Sequence, residues 1–100
     1  MFEPSRTFLL LSLQRALLGN ISTGLRQASI EADVPALVVR LRFEYEPENL
    51  ETAQDNCSSA AAEVVSDLPS EWNIQEEHIV VVDGQQLRSL AYVAYRRAES

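Results

Sequence analysis

The spacing of apolar residues changes along the chain and predicts an alternation of helices and strands. A helical period fits residues 5–18, which Pro4-Ser5 opens and Gly19-Asn20 closes. The face of this helix that belongs in a core carries Leu9, Leu10, Leu13, Ala16 and Leu17. Leu11 and Leu18 lie on the opposite side with Phe8 beside them, although a surface helix needs only one apolar stripe. We therefore predict an oligomer or partner interface at Phe8, Leu11 and Leu18, with burial against another segment such as Trp72 as the alternative.

A period of two marks the next two elements as strands. Residues 25–32 alternate weakly and residues 37–45 alternate cleanly, with Asp33-Val34-Pro35 as a turn signal between them. The short connection predicts a hairpin. Along the second strand, the inward positions are Leu37, Val39, Leu41, Phe43 and Tyr45, and the outward positions are Val38, Arg40, Arg42 and Glu44.

The second half of the chain predicts one helix and two strands. The helix runs from about Pro47 to Leu68, and strands follow at about 74–82 and 90–96. Its apolar stripe consists of Leu50, Ala53, Cys57, Ala60, Ala61, Val64 and Leu68. We predict a single α+β domain over residues 1–100, in the order α-β-β-α-β-β, with two helices on one face of a four-stranded, mostly antiparallel sheet. Strand orders 2-1-3-4 and 1-2-4-3 both fit a sheet in which all neighbours are antiparallel.

Charge is distributed unevenly along the sequence. The net charge is −7, all eight basic residues are arginines, and the span from Phe43 to Leu87 contains no Lys or Arg but eleven of the fifteen acids. A field of this sign repels nucleic acid and anionic membranes and attracts a basic protein. The alternative is that the acidity only keeps the domain soluble.

The acids predict a partner-binding surface on the second helix. Glu48, Glu51 and Asp55 are spaced i, i+3, i+7 on the face opposite the apolar stripe. The predicted partner-binding residues are Glu44, Glu48, Glu51, Asp55, Glu63, Asp67 and Trp72. Trp72 is in this list because exposed aromatic residues often dominate binding energy. If they are exposed, Tyr45, Tyr92 and Tyr95 are further candidates for the same reason.

The residues that carry chemistry do not form a recognisable active site. His78 is the only histidine and Cys57, on the apolar stripe, the only cysteine, which is too few for a zinc tetrad. The three glycines are scattered, so no phosphate-binding loop is present in the sequence. We expect no catalytic residues, no metal and no cofactor. A Cys57–His78 dyad is the weaker alternative.

The apolar run at Phe8–Leu11 is short, and Ser12, Gln14 and Arg15 interrupt it. It therefore fits neither a cleaved secretion signal nor a membrane span. A single cysteine fits a reducing compartment, so we expect a cytoplasmic protein.

In size, acidity and α+β architecture the whole chain resembles the immunity proteins of bacterial toxin–immunity systems, such as contact-dependent inhibition. The segment Leu13–Gly19 and the ending Tyr95-Arg96-Arg97 also look like family signatures. The resemblance implies a non-enzymatic inhibitor that binds a toxic, commonly basic nuclease domain and covers or distorts its active site. The alternative is a structural homodimer that associates through the outer face of the first helix.

Overall fold

The predicted order of elements is confirmed. The computed structural model describes residues 2–21, 23–48, 50–82 and 84–97. Within these ranges the elements are α1 (Arg6–Leu17), β1 (Leu25–Asp33), β2 (Val38–Tyr45), α2 (Leu50–Ser66), β3 (Asn73–Val80) and β4 (Tyr92–Arg96). Neither helix in the described ranges combines the length and apolar content that crossing a membrane requires.

The first half folds as the local sequence signals predict. Ser5 caps α1 by accepting a hydrogen bond from the Phe8 amide at 3.0 Å. Strands β1 and β2 form the predicted antiparallel hairpin, and Asp33 Oδ1 accepts a hydrogen bond from the Ala36 amide in the turn. Leu37 lies in this turn with φ of 54°, so β2 begins one residue later than predicted.

The strand order in the sheet is β3-β2-β1-β4, so both predicted orders are wrong. The β2–β3 pair is parallel, whereas the other two pairs are antiparallel. Helix α2 has 17 residues and therefore spans about 26 Å, close to the length of the eight-residue β2. It returns the chain to the end where β2 began, and β3 consequently runs alongside β2 in the same direction.

The two edge strands, β3 and β4, are joined by a segment that crosses the sheet. Residues 81–82 and 84–91, which we call the crossing segment, pass over the sheet face opposite the helices. Arg42 Nη1 donates to the Arg88 carbonyl, the Leu90 amide donates to Ser29 Oγ, and the Ala91 amide donates to Glu31 Oε1. The crossing segment therefore covers part of a face that the alternating pattern had predicted to be open to solvent.

One core lies between the sheet and both helices. The buried stripes of α1 and α2 meet the inward positions of β1 and β2, and Trp72 closes one side. Alternate residues of β2 supply its centre, namely Val39, Leu41, Phe43 and Tyr45. Both helices therefore pack on one face of the sheet, as predicted.

Candidate partner-binding surface

Three exposed carboxylates form what we call the acidic flank: Glu48, Glu51 and Asp55. Helix α2 begins at Leu50, later than predicted, so Glu48 lies in the preceding turn while Glu51 and Asp55 occupy its first two turns. Among the residues that the structure describes, these three acids form no ion pair and no side-chain hydrogen bond. Their charge is therefore not neutralised by the fold and remains directed at solvent.

Glu63, on a different side of α2, and Asp67, directly after its last residue, face α1. Asn20 Nδ2 donates to Glu63 Oε2 at 3.2 Å, and Ser12 Oγ donates to Asp67 Oδ2 at 2.7 Å. Arg15 also lies 3.9 Å from Asp67 Oδ2. These two acids join the helices to each other, and the structure does not bring them together with the acidic flank.

Glu44 corrects the prediction of an outward, accessible carboxylate. Its side chain does point away from the helices, but it is only 1% exposed because the crossing segment covers it. Glu44 Oε1 accepts from Gln27 Nε2 at 2.8 Å, and Oε2 accepts from the Arg88 amide at 2.7 Å. The carboxylate therefore ties the crossing segment to the sheet and offers no surface to a partner in this conformation.

The aromatic residues proposed as binding anchors are also largely covered. Trp72 is 5% exposed and packs edge to face on Phe2, with ring centroids 5.8 Å apart. Tyr45 is fully buried, whereas Tyr92 and Tyr95 are half-buried. A binding role for Trp72 would require Phe2 to move away.

The predicted interface on α1 divides into two parts. Phe8 is half-buried and contacts Phe2, which in turn contacts Trp72, so this residue follows the alternative of burial within the fold. Leu11 and Leu18 are 50% and 76% exposed, respectively. These two leucines remain the candidate apolar contacts on this helix.

The two arginines on β2, Arg40 and Arg42, are paired with acids, which limits the basic surface that they could form. Arg40 lies 3.6 Å from Glu31 and 3.4 Å from Asp33, and Arg42 lies 3.1 Å from Glu77. Arg97 pairs with Glu46, and its hydrogen bond lowers the pKa of the Glu46 carboxyl. Glu46 therefore has a cationic partner, in contrast to the acidic flank.

Tyr45 and His78 are joined through their side chains, whereas Cys57 is buried in the core. The Tyr45 hydroxyl lies 2.6 Å from His78 Nδ1. On the other side of the imidazole, Nε2 lies 3.0 Å from Glu76 Oε1. Both imidazole nitrogens therefore have partners other than Cys57, and burial raises the pKa of the Cys57 thiol to about 11. The arrangement lacks an accessible thiolate, and the described residues contain no group of three or more potential ligands that could share a metal ion.

The buried Cys57 thiol and Tyr45 hydroxyl make the free energy of unfolding sensitive to alkaline pH. The pKa of Cys57 rises from 9.0 to about 11 through burial, and burial also raises the pKa of Tyr45. The folded state thus holds these protons more tightly than the unfolded state, so the stabilisation is present below about pH 9 and is lost as the pH rises towards 11. We expect urea titrations to show this loss, and a smaller loss in Cys57→Ala. An equal free energy of unfolding at about pH 9 and at about pH 11 would contradict this prediction.

Sequence reasoning missed two exposed valines beside the acidic flank. Val80 and Val82 are 41% and 48% exposed, and Val82 shares an open depression with Glu46, Pro47 and Glu48. The apolar run Ile79–Val82 lies in the strand predicted at about 74–82, but β3 ends at Val80 and forms the edge of the sheet. An apolar contact next to free charge is typical of a protein-binding surface.

Comparison with known proteins places the chain in a family. The profile of the MafI2 immunity protein family matches residues 6–99, which include every helix and strand. No curated protein matches the chain. The resemblance to bacterial toxin immunity proteins is thereby confirmed. With nearly the whole domain matched, the chain belongs to the MafI2 immunity protein family.

Proposed function

We propose that this chain is a non-enzymatic inhibitor that binds and neutralises a cationic toxin domain, and that the acidic flank makes the first contact. The observation that carries the proposal is that Glu48, Glu51 and Asp55 are exposed and have no partner among the described residues, in a member of an immunity protein family. Unpaired charge of one sign steers an oppositely charged protein into contact and raises its association rate.

A nuclease is the toxin class that fits this surface best. A nuclease active site must attract phosphate groups, and the Lys and Arg residues that do so would equally attract a carboxylate surface. Inhibition would follow if the bound chain covers that basic site. We place the encounter in the cytoplasm, where a buried free thiol such as Cys57 is stable.

A second candidate function is a structural homodimer formed through α1. It is favoured by the exposure of Leu11 and Leu18, which the fold itself does not use. In that case the acidity would serve only solubility. The inhibitor would form a complex with the toxin in solution, whereas the structural protein would form a dimer of this chain without the toxin.

Co-expression with the products of the neighbouring genes tests the proposal, and the toxin is identified as a product that arrests growth when it is expressed alone. We expect the chain to restore growth of cells that produce the toxin, and to elute with a catalytically inactivated toxin as a one-to-one complex in size-exclusion chromatography. Growth arrest despite full expression of the chain would contradict the proposal. Elution of the chain alone as a dimer, with no bound toxin, would favour the homodimer instead.

A further inference from the structure

The edge of the sheet formed by β3 is open. Strand β3 pairs with β2 on one side, and no other strand in the described residues pairs with its second side. None of its eight residues is buried, in contrast to β1 and β2. A strand edge of this kind presents unpaired backbone groups to which another chain can bind.

The register identifies which backbone groups are free. The Asn73 amide donates to the Leu37 carbonyl and the Val81 amide donates to the Tyr45 carbonyl, so the odd-numbered residues direct their amide and carbonyl groups towards β2. Because successive residues of a strand alternate in direction, the even-numbered residues direct theirs away from the sheet. These residues are Ile74, Glu76, His78 and Val80.

The opposite edge of the sheet, formed by β4, is less suited to pairing with an added strand. Strand β4 has five residues against eight in β3, and its register with β1 shifts at Ala28/Ser29, whereas the β2–β3 register is unbroken. Short strands and bulges are the usual devices that protect an edge from additional pairing. Within the described residues, the β3 edge is therefore the one that is both long and regular.

The charges around β3 specify a basic occupant. Ser58 Oγ donates to Glu76 Oε1 at 3.3 Å, which places this side of α2 over the open edge. Asp55 and Glu51 precede Ser58 by three and seven residues and thus share that side of the helix. A second copy of β3 would bring Glu76 and Glu77 of each chain together, and such like-charge pairs disfavour self-association.

We infer that the toxin inserts an extended, basic segment along β3 as a fifth strand, with its Lys or Arg side chains reaching Glu51 and Asp55. Neighbouring strands lie about 4.8 Å apart, so the added strand would bring its helix-side residues beneath this part of α2. The backbone would supply the affinity and the carboxylates the selectivity. This inference rests on the proposed function, since it takes the toxin as the partner.

Amide hydrogen exchange of the chain, free and bound to the inactivated toxin identified by co-expression, tests this inference. In the free chain we expect the amides of Glu76 and His78 to exchange rapidly and those of Gln75 and Glu77 to be protected. In the complex, Glu76 and His78 should slow by at least about tenfold. A complex that forms while both amides still exchange rapidly would overturn the inference and leave the proposed function intact. Failure to form any complex would contradict both.

A matched pair of substitutions gives a second readout. Glu76→Pro removes the outward amide and keeps the β2 ladder, because proline is tolerated on an open edge. Glu76→Ala removes the same carboxylate but keeps the amide. We expect the proline variant to bind the toxin at least about tenfold more weakly than the alanine variant. Equal affinities of two folded variants would overturn the inference.

Discussion

Replacing Glu44 with alanine is expected to lower the free energy of unfolding by about 3 kcal/mol. The carboxylate is buried and accepts hydrogen bonds from the Gln27 side chain and the Arg88 amide. Its removal leaves the buried Gln27 side-chain amide and the part-buried Arg88 backbone amide without their acceptor, and it releases the crossing segment from the sheet. Glu44→Gln, which keeps the shape and one acceptor oxygen, should lose about half as much. Chemical denaturation measures both changes.

The matched control for this prediction is Glu48→Ala, which removes a carboxylate that is exposed. It should change the free energy of unfolding by no more than about 0.5 kcal/mol. If Glu44→Ala were equally mild, the carboxylate would not secure the crossing segment. Because the Glu44 variants are expected to destabilise the fold, loss of toxin binding in them would not identify Glu44 as a contact residue.

Reversing the charge of the acidic flank is expected to abolish protection against the toxin while leaving the domain folded. In the double variant Glu51→Lys and Asp55→Lys, two free carboxylates become cations that repel a basic partner, and the association rate should fall by at least about tenfold. Growth of toxin-producing cells measures the loss of protection. Glu51 lies in the first turn of α2, where an acid favours the helix dipole, so a cost of up to about 1 kcal/mol in stability is expected.

Glu3→Lys together with Glu71→Lys is the control for the double variant. Both residues are exposed and form no ion pair within the described part of the chain, and their reversal changes the net charge by the same amount. If protection depends on where the charge lies, the control variant should still protect the cells. Equal loss in both variants would show that only overall acidity matters, as the solubility alternative holds.

Local signals predicted the elements well because each signal acts over a few residues. The Ser5 cap, the turn at Asp33 and the clean alternation of β2 all specify structure near themselves in sequence. Strand order instead depends on where a connection returns the chain. The sheet was predicted to be mostly antiparallel, but the two candidate strand orders assumed that every pair of neighbours is antiparallel. They did not take into account that α2 is about as long as β2, so that β3 starts at the same end as β2 and runs parallel to it.

Only part of the candidate site was predicted, because local signals do not show which segments remote in sequence pack against each other. Helical spacing placed Glu51 and Asp55 on one exposed face, and the structure agrees. Alternation along β2 gave the direction of the Glu44 side chain but not its burial, because the crossing segment that covers it is remote in sequence. Burial of Phe8 likewise depends on Phe2 and Trp72, which no periodicity connects. The open edge at β3 depends on strand order and was not predicted.

The most direct test of the central claim is the association rate of the chain with the inactivated toxin domain, measured by stopped-flow fluorescence at low and high salt. For the wild type and the Glu3/Glu71 control, the account predicts fast association that slows by tenfold or more between about 0.05 and 0.5 M salt, where screening becomes strong. For the Glu51/Asp55 variant it predicts slow association that salt scarcely changes. Association of the wild type at a rate that neither salt nor flank reversal alters would contradict the account.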